Sequence, residues 1–95
     1  MNNILTKEKL NKYFSITKEA LDMAKDKFDE KRLSEAEDFF DMASRYYSDA
    51  EHFFKNQRDY VLAFAALNYA HGWLDAGARI QLFKVNDSRL FTVDD

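Results

Sequence analysis

Four polar residues in one stretch of this chain have the types and the spacing for chemistry. Asn68, His71, Asp75 and Arg79 recur every three or four residues, so a helix sets them on one face. A carboxylate that orients an imidazole is a common part of acid–base sites. Here the strip carries no serine, cysteine or threonine nucleophile, and nothing marks an oxyanion hole. It therefore reads as a helix-surface ion pair, Asp75 with Arg79, beside a satisfied histidine, worth about 0.3–0.5 kcal/mol. Small-ligand binding is its alternative. Arg45 and His52 are a second combination, seven residues apart, although Arg45 has Asp41 and Asp49 one helical turn away. In an antiparallel hairpin the two histidines are offset by roughly 11 Å along the helix axes. They cannot share a metal ion, and Asp49 with His52 makes only half a site. No catalytic residue, metal site or cofactor is predicted.

The two glycines sit beside that strip. Gly72 and Gly77 are the only glycines in 95 residues, and there is no proline. Both fall inside a helical pattern, where each costs about 1 kcal/mol relative to alanine. Spending glycine there predicts a close approach by another backbone or a ligand at Gly72 and Gly77.

Three helices would position these residues. The first is predicted over about 7–29, with Thr6 as N-cap and Leu10, Tyr13, Phe14, Thr17, Leu21, Ala24 and Phe28 on one stripe. The second is predicted over 35–55. Ser34 and Glu37 have the spacing of a capping box, and Asn56 suits the left-handed stop. Along it, the pairs Phe39-Phe40, Tyr46-Tyr47 and Phe53-Phe54 recur every seven residues, one member of each pair facing the core. The third is predicted over 60–84, with Asp59 as N-cap. Its apolar arc is wider than the usual ~100° stripe. A second apolar line, Leu62, Tyr69, Trp73 and Ile80, runs beside the core line and forms a candidate contact patch. Residues 85–95 follow as a tail in which RLFTV reads as a short extended segment. Its length reaches back to the level of Trp73, which predicts that Leu90, Phe91 and Val93 cover part of the patch. Short connections make the helices antiparallel neighbours. The reading is one all-α domain over 1–95: an antiparallel three-helix bundle with a short extended C-terminal tail.

Composition narrows the partners. The net charge is −3, which disfavours nucleic acid and anionic membranes. Up to Leu33 there are eight basic and six acidic residues, a balance of +2; this is read as a solvated lysine-rich face of the first helix. There is no cysteine, so disulfides and thiolate metal sites are excluded, and a cytoplasmic setting fits. The start, MNNILTKEKL, has no apolar run long enough for a signal peptide or a membrane span.

Several strings resemble known families. AEHFFKNQRDYVLAFAALNYA is similar to one helix–turn–helix of the tetratricopeptide repeats, without a second copy. The R-x6-H spacing of Arg45 and His52 resembles that of HEPN-type helical RNases. YYSDAEHFF (Tyr46–Phe54), the Asp59-Tyr60 turn, YAHGWLDAGAR (Tyr69–Arg79), LFKV and RLFTV resemble the archaeal family called domain of unknown function 357. That resemblance spans roughly the last two-thirds of the chain and implies a compact three-helix bundle of archaeal source. It implies no activity and carries over no catalytic residue. The function expected is that of a non-enzymatic module that associates with itself or with a protein partner. The alternatives are an RNA-processing enzyme using Arg45 and His52, or a ligand site at His71, Asp75 and Arg79.

Overall fold

Two seams of small residues bring the central helices together. The computed structural model describes residues 3–92. Its α-helices are α1 (Lys7–Ala24), α2 (Leu33–Lys55) and α3 (Tyr60–Arg79), with a 3₁₀ turn at Glu30–Arg32 leading into α2. Ala36, Ala43 and Ala50 on α2 and Ala63 and Ala70 on α3 have no solvent exposure, and Gly77 is buried. Each set recurs every seven residues, which keeps it on one side of its helix. The antiparallel hairpin sets the two rows level in pairs, Ala50 with Ala63, Ala43 with Ala70, and Ala36 with Gly77. Small side chains at such a seam allow two helix axes to approach closely. The aromatic pairs lap over both sides of this seam. Phe39, Phe40, Tyr46, Tyr47, Phe53 and Phe54 are all half-buried, instead of one in each pair being core. The alanines take the central line, and that leaves the rings its flanks.

α1 closes the bundle with Leu10, Phe14, Thr17, Ala20, Leu21 and Ala24 buried. Thr6 caps it, its side chain accepting from the Lys9 N–H at 3.1 Å. Asp59 caps α3 in the same way through Leu62, at 3.0 Å. Together the elements form an all-α three-helix bundle, with one part of the core around Leu10, Phe14, Ala50, Ala63 and Leu67. A larger part, around Leu21, Leu74, Leu82, Phe83, Leu90 and Phe91, lies at the other end.

Three boundaries and one cap differ from the sequence reading. α1 stops at Ala24 instead of Asp29, because Phe28 joins an antiparallel bridge with Phe83. Asp29 N–H donates to the Leu82 carbonyl at 2.8 Å, and Lys84 N–H to the Lys27 carbonyl at 2.7 Å. The Phe28 ring then packs against Phe40 and Phe83, with centroids 5.4 and 5.6 Å away. α2 does not open on a Ser34–Glu37 capping box. The 3₁₀ turn runs straight into it, and Asp29 caps that turn through the Lys31 N–H at 3.0 Å. Asn56 ends α2 in the right-handed conformation, and the left-handed residue is Arg58, at φ 51°.

α3 ends at Arg79, five residues before Lys84, in a Schellman motif. Leu82 N–H returns to the Gly77 carbonyl at 2.8 Å and Gln81 N–H to the Ala78 carbonyl at 3.1 Å. The left-handed position that glycine normally fills is Gln81, at φ 63°. Arg32 supplies a cation at this helix end, donating from Nη1 to the Ile80 carbonyl at 2.7 Å. A non-glycine residue in this conformation is strained by roughly 1 kcal/mol. Gln81→Gly will therefore stabilise the fold by about 0.5–1 kcal/mol in chemical denaturation. A lower midpoint would show that the Gln81 side chain matters more than its backbone.

Candidate functional site

The polar strip of α3 holds down the C-terminal segment. After the bridge the chain runs to a turn at Ser88–Leu90 built on Asp87, not to an extended strand. The Asp87 carbonyl accepts from the Leu90 and Phe91 N–H groups at 3.1 and 2.9 Å. Its Oδ1 accepts from the Arg89 N–H at 3.0 Å. This turn drives Leu90 and Phe91 into the core at 1% and 2% exposure. Val93 lies outside the described residues.

His71 meets this segment from α3. Its Nε2 is 2.6 Å from the Leu90 carbonyl. A carbonyl can only accept, so Nε2 carries the proton. Nδ1 lies 3.0 Å from Oγ1 of buried Thr17 on α1, and in the neutral ring it accepts the hydroxyl proton. Both ring nitrogens are committed, and the imidazole ties α1, α3 and the tail together. Asp75 Oδ1 accepts the Thr92 N–H at 2.8 Å, and Oδ2 accepts the Thr92 hydroxyl at 3.2 Å. The carboxylate read in the sequence as one half of an Asp75–Arg79 surface pair thus serves the tail. It also lies 3.8 Å from His71 Nε2. Asn68 and Arg79, at the two ends of the strip, are exposed.

Glu19 and Arg89 complete the attachment. Both Arg89 Nη groups donate to the Glu19 carboxylate, one of them at 3.3 Å to Oε1. That hydrogen bond from Arg89 holds the Glu19 carboxyl below its usual range. On α2, burial first and then Glu51 and Asp22 push the Tyr47 hydroxyl above its usual value. Signs follow from linkage. The Glu19 contribution is complete above the unfolded carboxyl value, about 4.3, and is lost as pH falls through the lower folded value. The Tyr47 contribution is complete below about pH 10 and is lost as pH rises through the higher folded value. Acid will thus loosen the tail first. Glu19→Gln should flatten the acid limb of the stability profile and leave the alkaline limb alone, whereas Tyr47→Phe should do the reverse. Identical limbs in wild type and both variants would rule this assignment out.

Arg45 and His52 are tied to their own helix. Arg45 Nε pairs with Asp41 Oδ2 at 2.9 Å with its side chain 72% exposed. The His52 ring nitrogens lie 2.9 and 3.2 Å from the side-chain amides of Asn56 and Gln57, at the end of α2. One surface hollow lies against Lys9, Tyr13 and Phe64, a second against Lys7, Phe54 and Arg58, and a third against Phe28, Glu37 and Asp41. None of these three includes Arg45, His52, His71, Asp75 or Arg79. Among the described residues no group of three or more His, Asp or Glu could hold a metal ion.

The second apolar line of α3 faces outward. Leu62, Tyr69 and Ile80 are 45%, 53% and 46% exposed. The described part of the tail does not cover this line. It lies on the His71–Asp75 side, about 200° of helix rotation from Trp73 at 100° per residue. Trp73 is half-buried against Phe39 instead, the rings edge to face at 5.0 Å, and Tyr69 packs on Tyr46 at 4.4 Å. The Trp73 Nε1–H is buried with no acceptor among the described residues, a cost of about 1–3 kcal/mol that its ring packing must outweigh.

The two glycines divide. A methyl group at Gly77 would meet the Phe83 ring at 2.2 Å, whereas at Gly72 it would meet nothing within 4 Å. Gly77 is a point of close approach, and Gly72 is not one within this chain. The sequence pattern could not separate them, because the ring that lies on Gly77 arrives from beyond the helix end.

A family model described as protein of unknown function (DUF357) matches residues 12–83. The matched span takes in most of α1 and ends at Phe83, before the tail and its RLFTV string. No curated protein and no solved structure matches the chain significantly.

Proposed function

The chain belongs to the DUF357 family, whose description assigns no activity, and from that premise we propose that it is a non-enzymatic helical module that binds protein through the outward face of α3. The observation that carries this reading is the exposed line Leu62, Tyr69 and Ile80, joined by Val61 at 74% exposure. Side chains of this size contribute most when they are removed from water together. The polar groups that could support catalysis are engaged elsewhere. His71 and Asp75 fasten the tail, and Arg45 and His52 bond within α2. No helix among the described residues is long and apolar enough to cross a membrane. We take the module to act in the cytoplasm, and its source to be archaeal on the strength of the string YAHGWLDAGAR.

The test is site-specific photo-crosslinking in cells, with a photoreactive phenylalanine at Tyr69 or Leu62 and, as control, at Lys18 on the exposed side of α1. Protein adducts from the two α3 positions and none from Lys18 are expected. Equal yields from all three positions, or none from α3, would remove the basis of the docking face.

A further inference from the structure

We infer that the occupant of this face is a second copy of the chain, laid antiparallel on α3 across a two-fold axis at Tyr69. The inference rests on the reading of that face as a protein-docking surface. Leu62, Ala65, Tyr69, Gly72, Ala76 and Ile80 are all exposed and recur at three- and four-residue steps. They form one stripe along the helix, and none of them is charged. A two-fold axis requires a surface that complements itself. Centred on Tyr69, the antiparallel register sets Leu62 level with Ala76 of the other copy. In the same register Ala66 lies level with Gly72, and Ala65 with Trp73. Leu62 thus meets a small side chain at each end of the contact, Trp73 meets Ala65, and the two Tyr69 rings face each other at the axis. A parallel pairing would instead set Leu62 on Leu62 and Trp73 on Trp73.

Charge follows the same symmetry. Asp59 stands at the start of α3 and Arg79 at its end. The antiparallel register brings each to the level of the opposite charge on the other copy, and the helix dipoles oppose head to tail. Gly72 also finds a reason here. It weakens the helix, and its own chain leaves the space above it open. In the pair it is the place where a second backbone can approach. A 20-residue helix is about 30 Å long, and two such faces bury on the order of 1,000 Å² in total, the lower end for specific association. The dimer is therefore weak and concentration-dependent.

The experiment uses the full chain in two ways. In sedimentation equilibrium from about 10 µM to about 1 mM, the mass should rise from one copy towards two. Tyr69→Glu, which sets two carboxylates against each other on the axis, should weaken association at least about tenfold. Its far-ultraviolet circular dichroism at low concentration should match wild type, which shows that the variant is folded although the Tyr69–Tyr46 contact is lost. The chain has no cysteine, so Tyr69→Cys places a single thiol on the axis. Under mild oxidation it should form a disulfide-linked dimer at least about tenfold faster than Ser48→Cys on the exposed side of α2. A single-copy mass across the whole range, or equal cross-linking rates at Tyr69 and Ser48, would overturn the proposal. Photo-crosslinks from Tyr69 to a different protein, with no dimer, would sink self-association and leave the docking face standing. No adduct of any kind would sink both.

Discussion

A chain cut after Asp87 will lose about 3 kcal/mol of stability, a large share of the 5–15 kcal/mol typical of a domain. Leu90 and Phe91 are almost wholly buried, and each contributes about 1.5–3 kcal/mol on leaving water. The bonds from His71 to Leu90 and from Asp75 to Thr92 add roughly 1 kcal/mol apiece. Ordering the tail backbone offsets much of this, at about 1–2 kcal/mol per residue. Phe91→Ala in the intact chain should come close to the same loss, because without the ring the remaining contacts barely exceed the ordering cost. Urea denaturation measures both. Trp73 emission will report little, since the indole lies against Phe39 on the other side of α3. An unchanged urea midpoint in the truncated protein would mean that the tail adds no net stability.

Gly77→Ala will destabilise by about 2 kcal/mol even though alanine is the better helix former by about 1 kcal/mol. The new methyl group would overlap the Phe83 ring at 2.2 Å from Cε2 and 2.6 Å from Cδ2. The ring cannot simply swing aside. It is 1% exposed and flanked by Phe28 and Phe40, with centroids 5.6 and 6.3 Å away. Its backbone is held by the bridge to Lys27–Asp29 and by the Schellman bonds to Gly77 itself. The same substitution at Gly72 meets no neighbour, so at low concentration it should raise stability by about 1 kcal/mol. Opposite signs at two glycines five residues apart make a sharp test. Shrinking the ring with Phe83→Leu should make Gly77→Ala less costly in a double-mutant cycle. A higher midpoint for Gly77→Ala would show that the helix end opens easily and that the close contact is not a constraint.

Local rules made the starts of α1 and α3 legible, and tertiary pairing hid the ends of α1 and α3. Thr6 and Asp59 are caps that a reader can recognise because the bond they make lies within three residues. The end of α1 is different. Phe28 keeps helical rhythm after Ala24, and only Phe83, far along the chain, draws it into a bridge. α3 gives no stop signal because the left-handed position is filled by Gln81, not glycine. The tail composition suggested a strand, but Asp87 gathers its N–H groups into a turn. The polar strip was visible as a strip, and its two roles were not. His71 and Asp75 acquire their partners, Thr17, Leu90 and Thr92, only when the tail folds back. Periodicity alone set Leu62, Tyr69, Trp73 and Ile80 on one side of α3, but not that Trp73 turns in against Phe39 of α2.

The attachment of the tail also orders events in time. α2 and α3 meet across a connection of a few residues, whereas the Thr17–His71 bond spans 54 residues and the Glu19–Arg89 pair 70. Closing long loops is slow because entropy is lost before contacts form. The alanine-seamed hairpin is the natural nucleus, α1 docks on it, and the tail seals the end around Phe83 last. Unfolding runs in the opposite order, with the tail lifting before the seam parts. Substitutions at Leu90 or Phe91 accordingly speed unfolding and leave the folding rate almost untouched, whereas a change at Ala43 or Ala70 slows folding itself.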